Sequence, residues 1–138
     1  MKVRLFNDLR IGQSAVSSRL IIQDDISKFC ELSGDYNPIH TDAEYASKTL
    51  FGRVIAHGPF VLTLITSLFA NELPGPGSIY LHQDLRFVHP VYVGDLITAM
   101  VEIVELNVEK RTVVLTTVCK NQNEILVITG KAKLKLLQ

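Results

Sequence analysis

The spacing of hydrophobic residues changes near residue 77, and this change divides the chain into a helical half and a strand-rich half. Residues 54–71 (VIAHGPFVLTLITSLFAN) contain no charged side chain. Gly58 and Pro59 stand where a helix begins, as its cap and its first residue, and LPGPG at 73–77 marks its end. Apolar residues occupy nearly every side between these signals, so we expect one long helix surrounded by the rest of the fold.

This helix is too short to cross a membrane. Its apolar part, residues 59–70, spans about 18 Å at about 1.5 Å per residue, whereas the hydrocarbon core of a bilayer is about 30 Å thick. We therefore predict a buried helix in a soluble protein, with no membrane span.

After Gly77 the apolar positions alternate, as they do in half-buried strands. Residues 79–88 place one set of side chains on one face (Ile79, Leu81, Leu85, Phe87) and a second set on the other (Tyr80, His82, Asp84, Arg86). Segments rich in Val, Ile and Thr predict further strands at 96–104, 111–119 and 125–136, with a turn at 121–124.

The N-terminal part predicts a strand and two short helices. Residues 13–22 can form the strand, residues 24–33 a helix opened by Asp24 or Asp25, and Thr41 with Glu44 a capping box that starts the second helix. The whole order predicts an α+β fold, a single domain over residues 1–138 in which a curved antiparallel β-sheet wraps around a long central helix.

Composition narrows the functional classes. The 138 residues carry 14 Lys plus Arg and 14 Asp plus Glu, and this zero net charge removes the positive field expected of a nucleic-acid-binding protein. Cys30 and Cys119 lack zinc-site spacing, and we interpret them as two buried thiols, although a single disulfide stays possible. The N-terminal sequence lacks the apolar core of a secretory signal, so we expect a cytoplasmic protein.

Candidate chemistry first appears in the segment SGDYNPIH, residues 33–40. Pro38 biases Asn37 away from the α region, so we expect an irregular loop that turns Asp35 and His40 toward one point. A carboxylate and an imidazole with a common target suit proton transfer near neutral pH. Gly, Asp, Asn and Pro are also ordinary turn residues, so the spacing alone favours a structural loop over a catalytic one.

A second feature lies at the start of the long helix. The backbone amides around Gly58 can stabilise a developing negative charge, although a glycine used only for capping is the alternative. Together the two features supply an acid/base pair and an oxyanion hole, which is what addition or removal of water beside a carbonyl requires. We interpret His57 as a packed structural residue, and no spacing makes His82 or His89 metal ligands.

Residues 29–46 (FCELSGDYNPIHTDAEYA) resemble the hydratase 2 motif of the MaoC-like (R)-specific enoyl-CoA hydratases. Residues 51–60 and 73–95 are similar to the segments on either side of that family's central helix. The resemblance implies a hot-dog fold and a homodimer with a continuous sheet. It also implies reversible hydration of trans-2-enoyl thioesters to (R)-3-hydroxyacyl thioesters, with no metal and no redox cofactor.

The resemblance also implies roles for individual residues. Asp35 and His40 would be the acid/base pair that holds the water, Asn37 would support them, and the Gly58 amide would bond the thioester carbonyl. Thr66 and Phe69 would help bound the acyl pocket, where a bulky Phe favours short chains. For these last two, simple core packing is the alternative.

Three alternatives to a hydratase acting on coenzyme A thioesters stay open. The same chemistry could act on acyl carrier protein as a 3-hydroxyacyl dehydratase of fatty-acid synthesis, and a thioesterase could use the same fold, although the motif argues against it. A catalytically silent acyl-thioester-binding module is the third. In such a small chain we expect the acyl-pantetheine arm to lie partly between subunits. Because the net charge of the chain is zero, we expect Lys or Arg side chains near the mouth of the site to bind the phosphates of coenzyme A.

Overall fold

An antiparallel five-stranded sheet, curved around a central helix, forms the frame of the computed structural model, which describes all 138 residues. The strands are paired in the order β1-β3-β4-β5-β2, so the first two strands in the chain lie at opposite edges. Their bounds are β1 Ser14–Leu20, β2 Ser78–Phe87, β3 Leu96–Asn107, β4 Thr112–Lys120 and β5 Leu126–Leu136.

All the helices lie between β1 and β2 in the chain, apart from a short 3₁₀ turn at Phe6–Asp8 that the periodicity gave no reason to expect. They are α1 Gln23–Ser33, α2 Pro38–Thr41, α3 Ala43–Ser47 and α4 Gly58–Asn71. The predicted order of one strand, short helices, one long helix and four antiparallel strands is therefore confirmed, and so is the curved sheet around a long helix.

Helix α4 packs one apolar face against the sheet, and this contact forms the core. Its inward side chains join a continuous cluster of buried residues contributed by β3, β4 and β5; they are Phe60, Val61, Leu64, Ile65, Leu68 and Phe69. The expectation that α4 is surrounded on all sides is wrong for the single chain. The sheet covers one side only, so Thr63, Ser67 and Ala70 stay exposed.

The alternation predicted for the last strand is confirmed. In β5, Ala132, Leu134 and Leu136 are buried while the lysines between them are exposed. The turn before it is built by Asn121, whose side-chain oxygen accepts hydrogen bonds from the N–H groups of Asn123 and Ile125.

The two-face pattern predicted for residues 79–88 is wrong. Ile79, Leu81 and Phe87 are each 45–54% exposed instead of buried. The physical reason is twofold, because β2 is an edge strand and its pairing with β5 shifts register between Tyr80 and His82. The extra residue of such a bulge interrupts the alternation of faces.

Three predicted helix starts differ from the structure by one or two residues. The cap of α4 is His57 rather than Gly58, which is the first helical residue, and α1 is preceded by Ile22 rather than by an aspartate. The cap of α3 is Asp42, whose carboxylate accepts from the Tyr45 N–H at 3.0 Å, so Thr41 with Glu44 is not the capping box. Aspartate is as good a cap as threonine, and it stands one residue closer to the helix.

No helix of the structure combines the length and the apolarity that crossing a bilayer requires. Cys30 and Cys119 are both free and buried, as the interpretation of two buried thiols expected. Burial raises the pKa of both thiols, that of Cys119 to about 12, so both are protonated at neutral pH.

Candidate active site

The loop that carries Asp35 is shaped by the end of α1. Gly34 ends that helix in the left-handed region at φ 75°, which glycine adopts without strain, and its N–H donates to the Cys30 carbonyl. The Ser33 hydroxyl then accepts from the Asp35 N–H at 3.1 Å, and the Asp35 carboxylate accepts from the Asn37 N–H at 3.1 Å. The turn chemistry of this segment thus fixes the backbone on both sides of Asp35.

The irregular loop expected through Pro38 is wrong in one respect, because residues 38–41 form a single helical turn. Asn37 caps this turn by accepting the Ile39 N–H, and Pro38 occupies the first position, where no backbone donor is needed. His40 therefore lies on α2 while Asp35 lies before it. The two side chains thus do not share one helix.

The proton on His40 has a fixed location. The side chain is buried, and its Nδ1–H donates to the Ile55 carbonyl at 2.7 Å. In the neutral ring the lone pair is then on Nε2. His40 also lines a cavity with a mostly apolar wall, so an imidazole with a free lone pair borders this space.

Asp35 and His40 come together, as the sequence predicted. A carboxylate oxygen of Asp35 and a ring nitrogen of His40 lie within 4.8 Å of one another. A water that is hydrogen-bonded to both at about 2.8 Å would span about 4.6 Å, so one water can bridge the pair. Asp35 itself is exposed in the single chain and is not part of the cavity wall.

Gly58 brings a free backbone donor to the same cavity. It is the first residue of α4, where the helix offers its N–H no partner, and no other group of the chain accepts from it. A Cβ at this position would stand 2.6 Å from the Phe87 ring, so any larger residue would have to displace that ring. Both facts agree with a donor that faces the cavity.

The cavity has a volume of about 450 Å³ and a mostly apolar wall. Polar character comes from His40, the Gly58 backbone and His89, which the sequence gave no reason to place there. The wall is held together by the segment before α4, because Ile55 N–H donates to the Ile39 carbonyl and Ala56 N–H to the Val91 carbonyl. Backbone hydrogen bonds therefore connect the segment before α4 to α2, which carries His40, and to the cavity wall at Val91.

His57 is the functional candidate that the sequence reasoning set aside. It is completely buried, its Nε2–H donates to the Asp35 carbonyl at 3.1 Å, and its ring stacks on His40 with centroids 3.8 Å apart. Burial lowers the pKa of His57, and its Nδ1 has no hydrogen-bond partner. A buried acceptor without a partner costs about 1–3 kcal/mol. In the sequence, the only indication of a role for His57 in the site is that it directly precedes Gly58.

Asp35, His40 and His57 are also the set of side chains that could hold a metal ion, since each offers one ligand atom within 4.8 Å of the others. The stack argues against that use. An imidazole lone pair lies in the ring plane, and two planes only 26° from parallel do not aim their lone pairs at one ion. The arrangement fits proton transfer better than metal binding.

Thr66 and Phe69 lie elsewhere on α4. They border a separate cavity of about 190 Å³ together with Ser78, Tyr80 and Leu134. Phe69 is buried, with its ring 5.5 Å from that of Tyr80, and the Thr66 hydroxyl donates to the Thr63 carbonyl. The single chain does not join this cavity to the one beside His40, so a role for these two residues toward an acyl chain stays a prediction.

Comparison with known proteins gives a consistent result. Residues 8–124 match the family model described as the MaoC-like domain. The (R)-specific enoyl-CoA hydratase of Aeromonas caviae is 42% identical over 93% of this chain and 96% of its own length. The solved structure of the (R)-hydratase from that organism has a TM-score of 0.90 and 42% identity, over 93% of this chain and 97% of its own.

Two dehydratases are also similar. The 3-hydroxybutyryl-CoA dehydratase of Methylorubrum extorquens is 38% identical over 99% of this chain and 86% of its own length. The mitochondrial 3-hydroxyacyl-[acyl-carrier-protein] dehydratase of Arabidopsis thaliana is 35% identical over 90% of this chain and 75% of its own length. The relatives therefore include proteins named for each of the two thioester carriers.

The lowered pKa of His57 predicts how stability depends on pH. Burial lowers the pKa of His57 in the folded state below its ordinary value of 6.5 in the unfolded chain, so the free energy of unfolding should fall as pH falls through 6.5. Urea unfolding at pH 7.5 and pH 5.5 measures this loss. His57→Phe should lose less stability between these two pH values than the wild type, and an equal loss would contradict the prediction.

Proposed function

The chain belongs to the family of MaoC-like domains, and from this premise we propose that it is a hydro-lyase. In this proposal it adds water reversibly to trans-2-enoyl-CoA and yields (R)-3-hydroxyacyl-CoA. The observation that carries the proposal is that three groups lie close together. His40 and the Gly58 N–H border one cavity, and the Asp35 carboxylate lies within 4.8 Å of a ring nitrogen of His40.

The mechanism follows from these groups. The Gly58 N–H, at the positive end of α4, donates to the thioester carbonyl oxygen; this makes C3 electrophilic and stabilises the enolate that forms. Water held between Asp35 and His40 attacks C3, the pair takes one proton from that water, and the pair delivers one proton to C2. One water is thus added across the double bond and the enzyme returns to its starting state.

Both members of the pair can begin as proton acceptors. The Asp35 carboxylate is exposed and offers oxygen acceptors, and His40 has its lone pair on Nε2 because Nδ1–H is held by the Ile55 carbonyl. Asn37 has a supporting role, because its side chain caps α2 and its carbonyl accepts the His40 N–H. For Phe69 we propose a limit on acyl length, since its ring partly closes the second cavity. The cytoplasmic location stays a prediction.

Removing either member of the pair should stop the reaction without unfolding the protein. Asp35→Asn and His40→Gln should each lower kcat for crotonyl-CoA hydration by about 10²-fold or more, the usual scale for a general acid or base. Loss of enoyl absorbance measures the rate, chiral analysis identifies the (R) product, and a series of acyl lengths tests Phe69. Asp24→Asn, on an exposed ion pair with Lys28, is the matched control.

Three outcomes would count against this proposal. They are near-normal turnover by a folded Asp35→Asn or His40→Gln variant, an (S) product, or thermal stabilisation by acyl-CoA without hydration at any chain length. The last outcome would favour a silent thioester-binding module.

A cation beside the cavity fits a substrate that carries phosphate. The Arg53 guanidinium lies 4.1 Å above the centre of the Tyr92 ring, and the Tyr92 hydroxyl donates to the Phe51 carbonyl. Phe51 and Val91, close in sequence to these two residues, belong to the cavity wall, and Arg53 has no acidic partner. In a chain of zero net charge, we propose this local cation as the contact for the phosphate next to the pantetheine arm.

Arg53→Ala should therefore raise KM for crotonyl-CoA by about tenfold and leave KM for crotonyl-pantetheine, which has no phosphate, unchanged. Arg10→Ala is the matched control, because the Arg10 guanidinium bonds the carbonyls of Asn7 and Leu9 outside the cavity wall. Equal effects on both thioesters would refute the phosphate contact. Rates with crotonyl groups on acyl carrier protein, measured alongside, distinguish the dehydratase alternative favoured by the Arabidopsis relative.

We also propose a homodimer that pairs β2 with its copy. β2 is a ten-residue edge strand with exposed apolar side chains at Ile79, Leu81 and Phe87, and it leads directly into the cavity wall at Val88. A second strand would pair the unsatisfied backbone groups of this edge and cover those side chains. It would also continue the sheet from one subunit into the next.

The mass in solution tests this dimer. Light scattering after size exclusion should give twice the chain mass, and Leu81→Lys should shift it toward the monomer. Val16→Lys, with a similarly exposed side chain on the opposite edge strand β1, should leave the dimer intact. A monomeric wild type, or a dimer lost only with Val16→Lys, would contradict the assignment to β2.

A further inference from the structure

We propose that His57 is a positioning residue of the acid/base site and that it acts through both Asp35 and His40. The inference rests on the proposed hydration reaction, but it concerns a residue outside the reacting pair. Three side chains from different elements meet here: Asp35 from the loop after α1, His40 from α2, and His57 at the start of α4.

His57 acts on Asp35 through the backbone. Its Nε2–H donates at 3.1 Å to the carbonyl of the residue that carries the carboxylate. Asp35 is otherwise held only by local contacts within the turn, to Ser33 and Asn37. The bond from His57 is therefore the one hydrogen bond that ties the Asp35 loop to the frame of α4.

His57 acts on His40 through its face. The two rings lie 3.8 Å apart at 26°, so His57 restricts tilting of the His40 ring about the bond to the Ile55 carbonyl. With Nδ1–H held by that carbonyl and one face covered, His40 keeps Nε2 in a constant direction. Both acceptors of the reaction are thus oriented by one side chain.

The surroundings of His57 are largely apolar. The Phe29 ring stands edge-on at a centroid distance of 4.9 Å, and the Cys30 thiol lies 3.6 Å from Nε2. The imidazole leaves Nδ1 buried without a partner. Retention of an unsatisfied polar atom beside a reactive pair is explained by a use for the other nitrogen and for the ring face.

Two substitutions separate the two actions. His57→Phe keeps a flat ring against His40 but removes the donor to Asp35, whereas His57→Gln keeps an N–H donor near Nε2 but removes the ring. We expect each to lower kcat for crotonyl-CoA by about tenfold with KM changed by less than twofold. His57→Phe should keep a melting temperature close to that of the wild type, because it removes the unpaired Nδ1 as well as the hydrogen bond to Asp35. A purely structural role predicts the opposite, a less stable protein with normal kcat.

Double variants test the route of each effect. The loss from His57→Phe should largely vanish in an Asp35→Asn background, and the loss from His57→Gln should largely vanish in a His40→Gln background. Fully additive losses, or a rise in KM at constant kcat, would overturn the proposal.

A readout independent of turnover keeps this proposal separate from the proposed function. Ring ¹⁵N shifts of His40 should report the single Nδ1–H form in the wild type and a mixture in His57→Gln. An unchanged His40 spectrum in that variant would overturn the positioning of His40 by His57. Absence of hydration by the wild type would instead count against the proposed function.

Discussion

The burial of one face of α4 against the sheet fixes the position of the candidate site. Six side chains of this helix are fixed in the core, and each fully buried aliphatic or aromatic side chain contributes about 1.5–3 kcal/mol. The helix therefore cannot slide or rotate, and its first turn stands at a constant point beside the cavity. A backbone N–H that is to donate to a developing negative charge has to be held in this way, because no side-chain rotation can adjust its direction.

Hydrogen bonds connect the start of α4 to neighbouring segments that bury few apolar side chains. The segment before α4 bonds Ile39 and Val91, and its carbonyl at Ile55 orients His40. The Asp35 loop is more exposed and depends on turn contacts and on His57. The Gly58 side of the site is thus anchored in the core, whereas the Asp35 side is held by fewer contacts.

Much of this arrangement could be predicted from the sequence, and the failures have physical causes. The long helix and the strands of the C-terminal half follow from periodicity, and the Asp35–His40 pair from turn chemistry and from the resemblance to a known motif. The burial of β2 could not be predicted, because alternation does not reveal that a strand lies at an edge or contains a bulge. The helical turn at Pro38 was missed because proline both ends and begins helices.

His57 was underestimated for a different reason. A histidine in an apolar segment usually packs in the core, and only the fold reveals that its ring faces a second histidine from a different element. The stack with His40 joins residues from α2 and the start of α4, so no spacing rule contains it. Composition and periodicity describe single elements, whereas this contact exists only between elements.

The contact between Gly58 and Phe87 links the backbone of the helix start to the shape of the cavity wall. A methyl group at position 58 would collide with the Phe87 ring, at 2.6 Å from its nearest carbon. Phe87 is about half exposed, so its ring would have to swing outward to admit that methyl group. Because Phe87 and Gly58 both line the cavity, a side chain at position 58 would change the shape of the cavity wall as well as the start of the helix.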